Sequence, residues 1–323
     1  MSGLASERRR RRIHVGFQNL SLAHERLYGG VGFALDTPRV CLEATRADSV
    51  RCPDALVAEY ATTACDLLDA SGVEIHVKER LPRHVGLGSG TQLALATLTA
   101  VAALYDREPR VRERAPTLGR GGRSGVGVAG FESGGFIVDA GHPTTRFTTE
   151  TPADGTWTVP PVVVRRELPS SWRVLLVYPE TDAGRSGETE DASMRAAVEG
   201  ADPALADELA GILTRRLLPA VATGACEPFG QAVTAFDRRN GRWYTDEQGG
   251  VYRPPAGALV DELTASAAVS GVGQSSWGPT VYGITDASRE PAAREAGRAA
   301  LDAVGIDGRV ETTTVANTGV RVD

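Results

Sequence analysis

The eleven residues PRHVGLGSGTQ, Pro82 to Gln92, constrain the fold more than any other stretch of the chain. They follow an alternating segment, with Val73, Ile75 and Val77 set against Glu74, His76 and Lys78, and they precede an apolar run from Leu93 to Tyr105. The alternation predicts a strand. The run predicts a buried helix, since it is too short to span a bilayer and is broken by threonines. The order is therefore strand, glycine turn, helix. Glycines in such a turn let the backbone take positive φ and approach a ligand with no Cβ in the way, and the helix that follows presents unpaired N–H groups. Gly86, Leu87, Gly88, Ser89, Gly90 and Thr91 are expected to cradle a diphosphate or phosphate. The helix dipole adds only ~0.3–1 kcal/mol per anionic group, so amides and hydroxyls must act together. A phosphate loop of the pattern G-x-x-x-x-G-K-[ST] is disfavoured, because no lysine stands in the turn. A dinucleotide fold needs G-x-G-x-x-G, whereas the spacing here is G-x-G-x-G.

Lys78 is the single lysine of the chain, so recognition of phosphate or carboxylate falls to arginine forks and backbone amides. A length of 323 residues with 41% hydrophobic and 24% charged side chains fits a globular protein of two domains. The net charge of -6 argues against nucleic acid as the main partner. Cys41, Cys52, Cys65 and Cys226 show no C-x-x-C spacing and the five histidines are scattered, which supports neither a disulfide framework nor a zinc site and fits a reducing cytoplasm. The arginines from Arg8 to Arg12 read as a solvated basic tail before the first strand, with an RNA- or phosphate-touching arm as the alternative, and no apolar segment follows them that would make a secretory signal.

Ile13, Val15 and Phe17 alternate with His14, Gly16 and Gln18, predicting a half-buried first strand. Tyr28 to Asp36 combines a glycine turn with a short strand, Ala55 to Gly72 reads as a helix and its stop, and Gly135 to Asp139 as a strand. Residues 143–161 read as a loop with an edge strand, and Trp172 to Tyr178 as a buried strand. Helices are expected within 188–200, 204–223 and 228–240. They are followed by a helix ending near Ala265, a second glycine turn at 270–280, a strand, a helix carrying Ala296, Ala300, Leu301 and Val304 on one face, and a final strand.

Pro82, Gly86, Leu87, Gly88 and Ser89 fit the motif P-x-x-x-G-L-G-S-S-A, with Gly90 in place of the second serine, so the chain resembles the GHMP superfamily of small-molecule kinases. SGVGQSSWG, Ser270 to Gly278, is similar to that superfamily's C-terminal glycine motif, and YGGVGFALD to the end of its first motif. The resemblance implies an α+β, GHMP-kinase-like two-domain fold. It comprises an N-terminal ribosomal-protein-like α/β domain over residues 1–170 and a C-terminal ferredoxin-like α+β domain over 171–323. One departure stands out: RSGVGVAGFESGG puts Gly127 where such kinases often carry the aspartate of S-G-[IV]-D, and no acidic residue lies between Glu113 and Glu132. Together, HVGLGSGTQLALA, GRGGRSGVGVAGFESGGFIVDAGH and GQSSWGPTVYG resemble one branch, the archaeal β-ribofuranosylaminobenzene 5'-phosphate synthase family. That resemblance implies condensation of 4-aminobenzoate, or a 4-hydroxybenzoate-like acid, with 5-phosphoribosyl-1-diphosphate, releasing CO2 and diphosphate on the route to methanopterin-type cofactors. An ATP-dependent GHMP kinase and a non-catalytic small-molecule-binding homologue are the alternatives.

Such a reaction must hold a departing diphosphate, stabilise an oxocarbenium-like ribose and accept attack by a ring carbon. Arg120 and Arg123, in GRGGRSG, have guanidinium forks suited to phosphate or carboxylate, and Ser124 can donate to the same anion. Glu132 and Asp139 are the nearest carboxylates, and His14 and His84 are candidate polar groups beside the site. Gly271, Gly273, Ser275, Ser276 and Trp277 are expected to close over the substrate, the indole offering a face to an aromatic ring. Mg2+ is the expected cofactor, with Ser89 and Glu132 as ligands, and no organic cofactor is expected. The expected partners are small molecules, with no nucleic acid or membrane, and the sequence leaves the assembly open, a homodimer among the states it allows.

Overall fold

A computed structural model describes residues 5–79, 85–146, 153, 155–181 and 188–322; Pro82 and His84 lie outside the described residues. The first sheet is built on a long antiparallel pair, β1 (Ala5–Asn19) and β2 (Arg26–Arg46). β2 also pairs with β3 (Val73–Glu79), β4 (Phe136–Asp139) and β5 (His142–Pro143), β4 pairs with β6 (Val162–Arg166), and β1 pairs with the chain's last strand, Arg321–Val322. Helices α1 (Ala55–Leu68), α2 (Ser89–Leu104) and α3 (Val126–Ser133) pack on this sheet. Asp54 caps α1, its carboxylate accepting from Leu56 N at 3.0 Å and Val57 N at 3.3 Å. Unlike α1, α2 is buried on every side from Gln92 to Ala102, because the sheet, α1 and α3 surround it.

The second sheet contains β7 (Trp172–Pro179), β8 (Gly271–Gln274), β9 (Val281–Asp286) and β10 (Gly308–Thr314), in the order β10-β7-β9-β8 and antiparallel throughout. Between β7 and β8 run α4 (Glu188–Glu199), α5 (Pro203–Ile212), α6 (Cys226–Arg242) and α7 (Ala256–Thr264); α8 (Glu290–Val304) lies between β9 and β10. With its helices, this half has the β-α-β-β-α-β order of a ferredoxin-like unit. On α8 the buried face is Ala293, Gly297, Ala300 and Leu301, with Ala296 and Val304 at its margin. The last strand, which is β11, carries the chain back to the first sheet.

Three expectations are corrected here. The arginine run is not a tail: β1 begins at Ala5, because its backbone pairs with Val40 to Ala44 of β2 and with β11. β1 is also not half-buried, since His14 and Gly16 are covered as fully as Ile13 and Val15. Its second face lies under α6, where Asn240 Nδ2 donates to Phe17 O at 2.8 Å and a Cβ on Gly16 would lie 2.5 Å from Asn240 Cγ. Finally, the short strand expected after Tyr28 is part of the 21-residue β2.

The two sheets share a core. Ile13, Val31, Phe33 and Phe136 of the first cluster with Trp172 and Tyr282 of the second and Phe229 of α6. Phe229 is the hinge of this contact, its ring 6.1 Å from Phe33, 6.0 Å from Phe136 and 4.8 Å from Trp172. This core fixes the glycine turn at the head of α2 against the loop between β8 and β9. Among the described residues no helix is long and apolar enough to cross a membrane.

Candidate functional site

The turn enters α2 through Gly86 at φ +87° and Gly88 at φ +72°, both in the region that favours glycine. Between them, Leu87 drives its side chain into the core and is 1% exposed, so it anchors the turn and offers a ligand nothing beyond its backbone. Gly88 caps α2 without a side-chain hydrogen bond, which leaves the first N–H groups of the helix free of a protein cap. Ser89, Gly90 and Thr91 are half-buried at this mouth.

The C-terminal glycine loop braces the turn from behind instead of closing over it. Ser275 is fully buried and its Oγ donates to Gly86 O at 2.9 Å. A Cβ on Gly278 would lie 2.2 Å from Gly86 N, so only glycine permits this approach. Gly271 is pressed against Gly230 of α6, and Gly273 against the Asp237 carboxylate and the Tyr282 hydroxyl. Gly271, Gly273 and Ser275 thus pack the scaffold and do not cover a substrate. Ser276, exposed at φ +56°, and Trp277 face the adjacent cleft, and the Trp277 ring stands edge-on to Tyr244 at 4.7 Å.

Arg12 is the residue that sequence reasoning missed. Its guanidinium lies between the glycine turn and α3: a Cβ on Gly88 would be 3.0 Å from Arg12 Nε, and one on Gly127 would be 3.2 Å from the same atom. Arg12 Nε and Nη1 are buried and have no hydrogen-bond partner among the described residues. Burial pushes the guanidinium down to about 10, against the pull of Glu190 and Asp139, so it stays protonated at neutral pH. Part of the signal was present in the sequence: Arg12 and His14 fall on one face of an extended strand, and a register shift breaks that alternation before Gly16. The run of arginines hid it.

Arg120 lies at the head of α2. A Cβ on Gly90 would lie 3.3 Å from its Nη1, while the guanidinium sits 5.3 Å over the Tyr60 ring and donates to the Tyr60 hydroxyl. Arg120 Nε is buried without a partner among the described residues. Arg123 differs from expectation, because α4 presents two neighbouring carboxylates that take its fork: Nη1 donates to Glu190 at 3.0 Å and Nη2 to Asp191. Its charge is spent within the protein.

Asp139 is 0% exposed and accepts from Gly125 N at 2.7 Å, Gly141 N at 2.8 Å and Ser124 Oγ at 3.1 Å, as well as from Gly30 N. Burial raises its pKa and these donors oppose the rise. Asp139 and Ser124 therefore tie the start of α3 to β2 and β4 as positioning residues and do not present themselves to a ligand. Glu132 lies at the far end of α3, where Arg112 Nη2 donates to it at 2.9 Å. A helix of eight residues separates it from the turn side by roughly 10 Å, at ~1.5 Å per residue, so Glu132 is removed from both the catalytic and the metal-ligand sets. Among the described residues, no group of three or more His, Cys, Asp or Glu side chains is placed to hold a metal ion.

His14 is buried, its ring edge-on to Phe17 at 4.7 Å and its backbone N–H donating to Ser275 Oγ at 3.4 Å. Burial, and after it the Arg12 charge, hold its pKa well below the usual histidine value, so the imidazole is neutral at neutral pH. It lines a cleft with Phe17, Asn240, Tyr244, Tyr252 and Trp277.

Residues 55–135 match the family described as GHMP kinases N terminal domain. The chain is 33% identical over 292 residues to β-ribofuranosylphenol 5'-phosphate synthase of Methanothermobacter thermautotrophicus, covering 85% of this chain and 87% of the relative. It is 31% identical to the protein of that name from Archaeoglobus fulgidus, with 97% of each chain covered. Among solved structures it is similar to homoserine kinase from Cytophaga hutchinsonii, with a TM-score of 0.70, 17% identity, and coverage of 98% of this chain and 97% of that one.

Proposed function

Because the chain belongs to the β-ribofuranosylphenol 5'-phosphate synthase family, pentosyl-transferring enzymes on the GHMP kinase fold, we propose that it joins a 4-substituted benzoate to 5-phosphoribosyl-1-diphosphate, releasing CO2 and diphosphate. The relatives' product is a phenol, so its ring oxygen favours 4-hydroxybenzoate over 4-aminobenzoate as the acceptor. The aryl riboside phosphate so formed would feed synthesis of a methanopterin-type cofactor.

The observation that carries this reading is the Arg12 guanidinium beside Gly127. A phosphoryl-transfer base has to take a hydroxyl proton, and the superfamily's aspartate would stand at this position. A permanently charged guanidinium cannot serve as that base, but its fork matches the oxygens of a diphosphate or a carboxylate. In the proposed reaction, the amides of Gly86 to Thr91, with Arg12 and Arg120, hold the diphosphate as its bond to the anomeric carbon breaks. The ring carbon bearing the carboxylate then forms the new C–C bond. Loss of CO2 leaves its bonding electron pair to restore the arene, and no net proton or electron is required. Mg2+ belongs to the proposal as a companion of the donor's phosphates, with the Ser89 hydroxyl the one expected ligand at the turn; no step above depends on it.

The test uses purified protein, the ribosyl donor and 4-hydroxybenzoate or 4-aminobenzoate labelled in the carboxylate. Donor-dependent release of labelled CO2 together with an aryl riboside is expected, faster with the hydroxy acid. Neither product from either acid would overturn the reading.

A further inference from the structure

The face of β1 that brings Arg12 to the glycine turn continues through His14, because alternate strand residues point the same way, roughly 6.6 Å apart. His14 lines a cleft between β1, α6 and the loop that joins β8 to β9. Phe17, Tyr244, Tyr252 and Trp277 give the cleft aromatic walls, and Ser276 stands at its rim. Two polar groups on the walls are already engaged: Asn240 Nδ2 donates to Phe17 O at 2.8 Å, and Asp237 accepts from Gln274 N and from the Tyr282 hydroxyl, each at 3.4 Å. His14 Nε2 is buried with no hydrogen-bond partner among the described residues, as is the Tyr252 hydroxyl, which stands beside Asp237. An unpaired buried ring nitrogen at an aromatic cleft calls for a ligand that carries both a ring and a polar hydrogen.

We propose that this cleft holds the acceptor's ring, with its carboxylate toward Arg12 and its para O–H donating to His14 Nε2, and that His14 takes this proton as the ring carbon attacks the ribose. The proposal rests on the reaction put forward above. A rod-like para-substituted benzoate laid along β1 would direct its para group to the imidazole in the cleft and its carboxylate toward Arg12, which lies beyond the cleft's own lining. Transfer of the phenol proton to Nε2 turns the attacked ring into a neutral cyclohexadienone in place of a cation. When CO2 departs, the electron pair it leaves restores the arene as a phenolate, and the proton returns from His14, so the imidazole is unchanged over a turnover. The low basicity expected of the buried ring keeps it neutral, and with the proton on Nδ1 its Nε2 is an acceptor.

Calorimetric titrations with 4-hydroxybenzoate and with benzoate, which lacks the para group, test the site in the presence of inorganic diphosphate. The wild-type protein is expected to bind 4-hydroxybenzoate at least tenfold more tightly than benzoate. His14→Ala should bind the two alike, keep its diphosphate affinity within twofold, and turn over about 100-fold or more slowly. In wild-type protein with 15N-labelled histidine, which does not depend on the variant's folding, the His14 Nε2 resonance should move with 4-hydroxybenzoate and not with benzoate. Equal wild-type affinities, a preference kept by His14→Ala, or an unmoved His14 resonance would each overturn the proposal. Turnover with an unmoved resonance sinks the cleft and leaves the reaction standing, whereas a tenfold preference with no turnover supports recognition by His14 and sinks the reaction.

Discussion

Arg12 fills a space that two glycines, Gly88 and Gly127, leave between the turn and α3. The glycine at 127 was visible in the sequence as a missing acid; the cation beside it was not, because it lay among other arginines that read as solvated. Glu132 and Arg123 misled in the opposite direction: residue type and proximity in sequence suggested them, but Arg112 and the α4 carboxylates claim them in space. A buried cation with unpaired N–H groups costs stability, and in the proposed reaction those groups hold the donor's diphosphate. Arg12→Gln is therefore expected to leave the thermal midpoint unchanged or raise it, while weakening inorganic diphosphate binding by about 10–100-fold. That corresponds to the loss of charge-assisted hydrogen bonds worth about 1.5–3 kcal/mol. Calorimetric titration beside a thermal scan checks both halves, and an unchanged diphosphate affinity would remove Arg12 from the site.

At the level of elements, the site is a turn held in place by a loop from the other half of the chain. The strand, turn and helix at 73–104 were legible because each carries its own local signature: alternation, glycines, and an apolar run. Both glycine loops were legible too, but their relation was not. Local pattern cannot say that Gly278 lies against Gly86, or that Ser275 hydrogen-bonds to the turn's backbone and not to a ligand. Such contacts span nearly two hundred residues and are set by the packing of Phe229 between the sheets. The consequence is a coupling between loop and turn. In Gly278→Ala the new methyl would meet Gly86 N at 2.2 Å and Val85 C at 2.2 Å, both backbone atoms with little room to give. Overpacking of this kind is expected to destabilise the protein by about 1–3 kcal/mol and to lower diphosphate affinity although residue 278 lies outside the turn. Thermal unfolding and a diphosphate titration of the variant measure both; full affinity with an unshifted midpoint would show that the turn does not depend on the loop.

Across the whole molecule, the shared core makes ionisation in one half a property of the entire fold, and two buried groups that line the cleft set its pH response. Burial pushes Asp237 up to about 8, far above the ~3.9 of an unfolded aspartate. Between about pH 4 and 8 the folded state thus keeps a proton that the unfolded state has lost, and stability falls as pH rises, by up to about 1.4 kcal/mol per pH unit. His14 has the opposite sign. Its folded pKa lies well below that of an unfolded histidine, so the unfolded state binds the extra proton below about pH 6.5 and stability rises with pH until that point. The two trends offset each other on the acid side, and only the aspartate acts above it. The other shifted carboxylates act on the acid side: Asp139 is raised by burial and works in the same sense as Asp237, while Asp286 and Glu290 are lowered; Arg12, near 10, and Cys226, pushed up to about 11, act in alkali. The midpoint of thermal unfolding should therefore decline from pH 6.5 to 8. Asp237→Asn keeps the shape of the protonated acid and cannot lose its proton, so its midpoint should stay level over the same interval and exceed that of the wild type at pH 8. Parallel scans of the two proteins decide the matter, since an equal decline in both would mean that Asp237 is ionised throughout and that the cleft wall carries a charge.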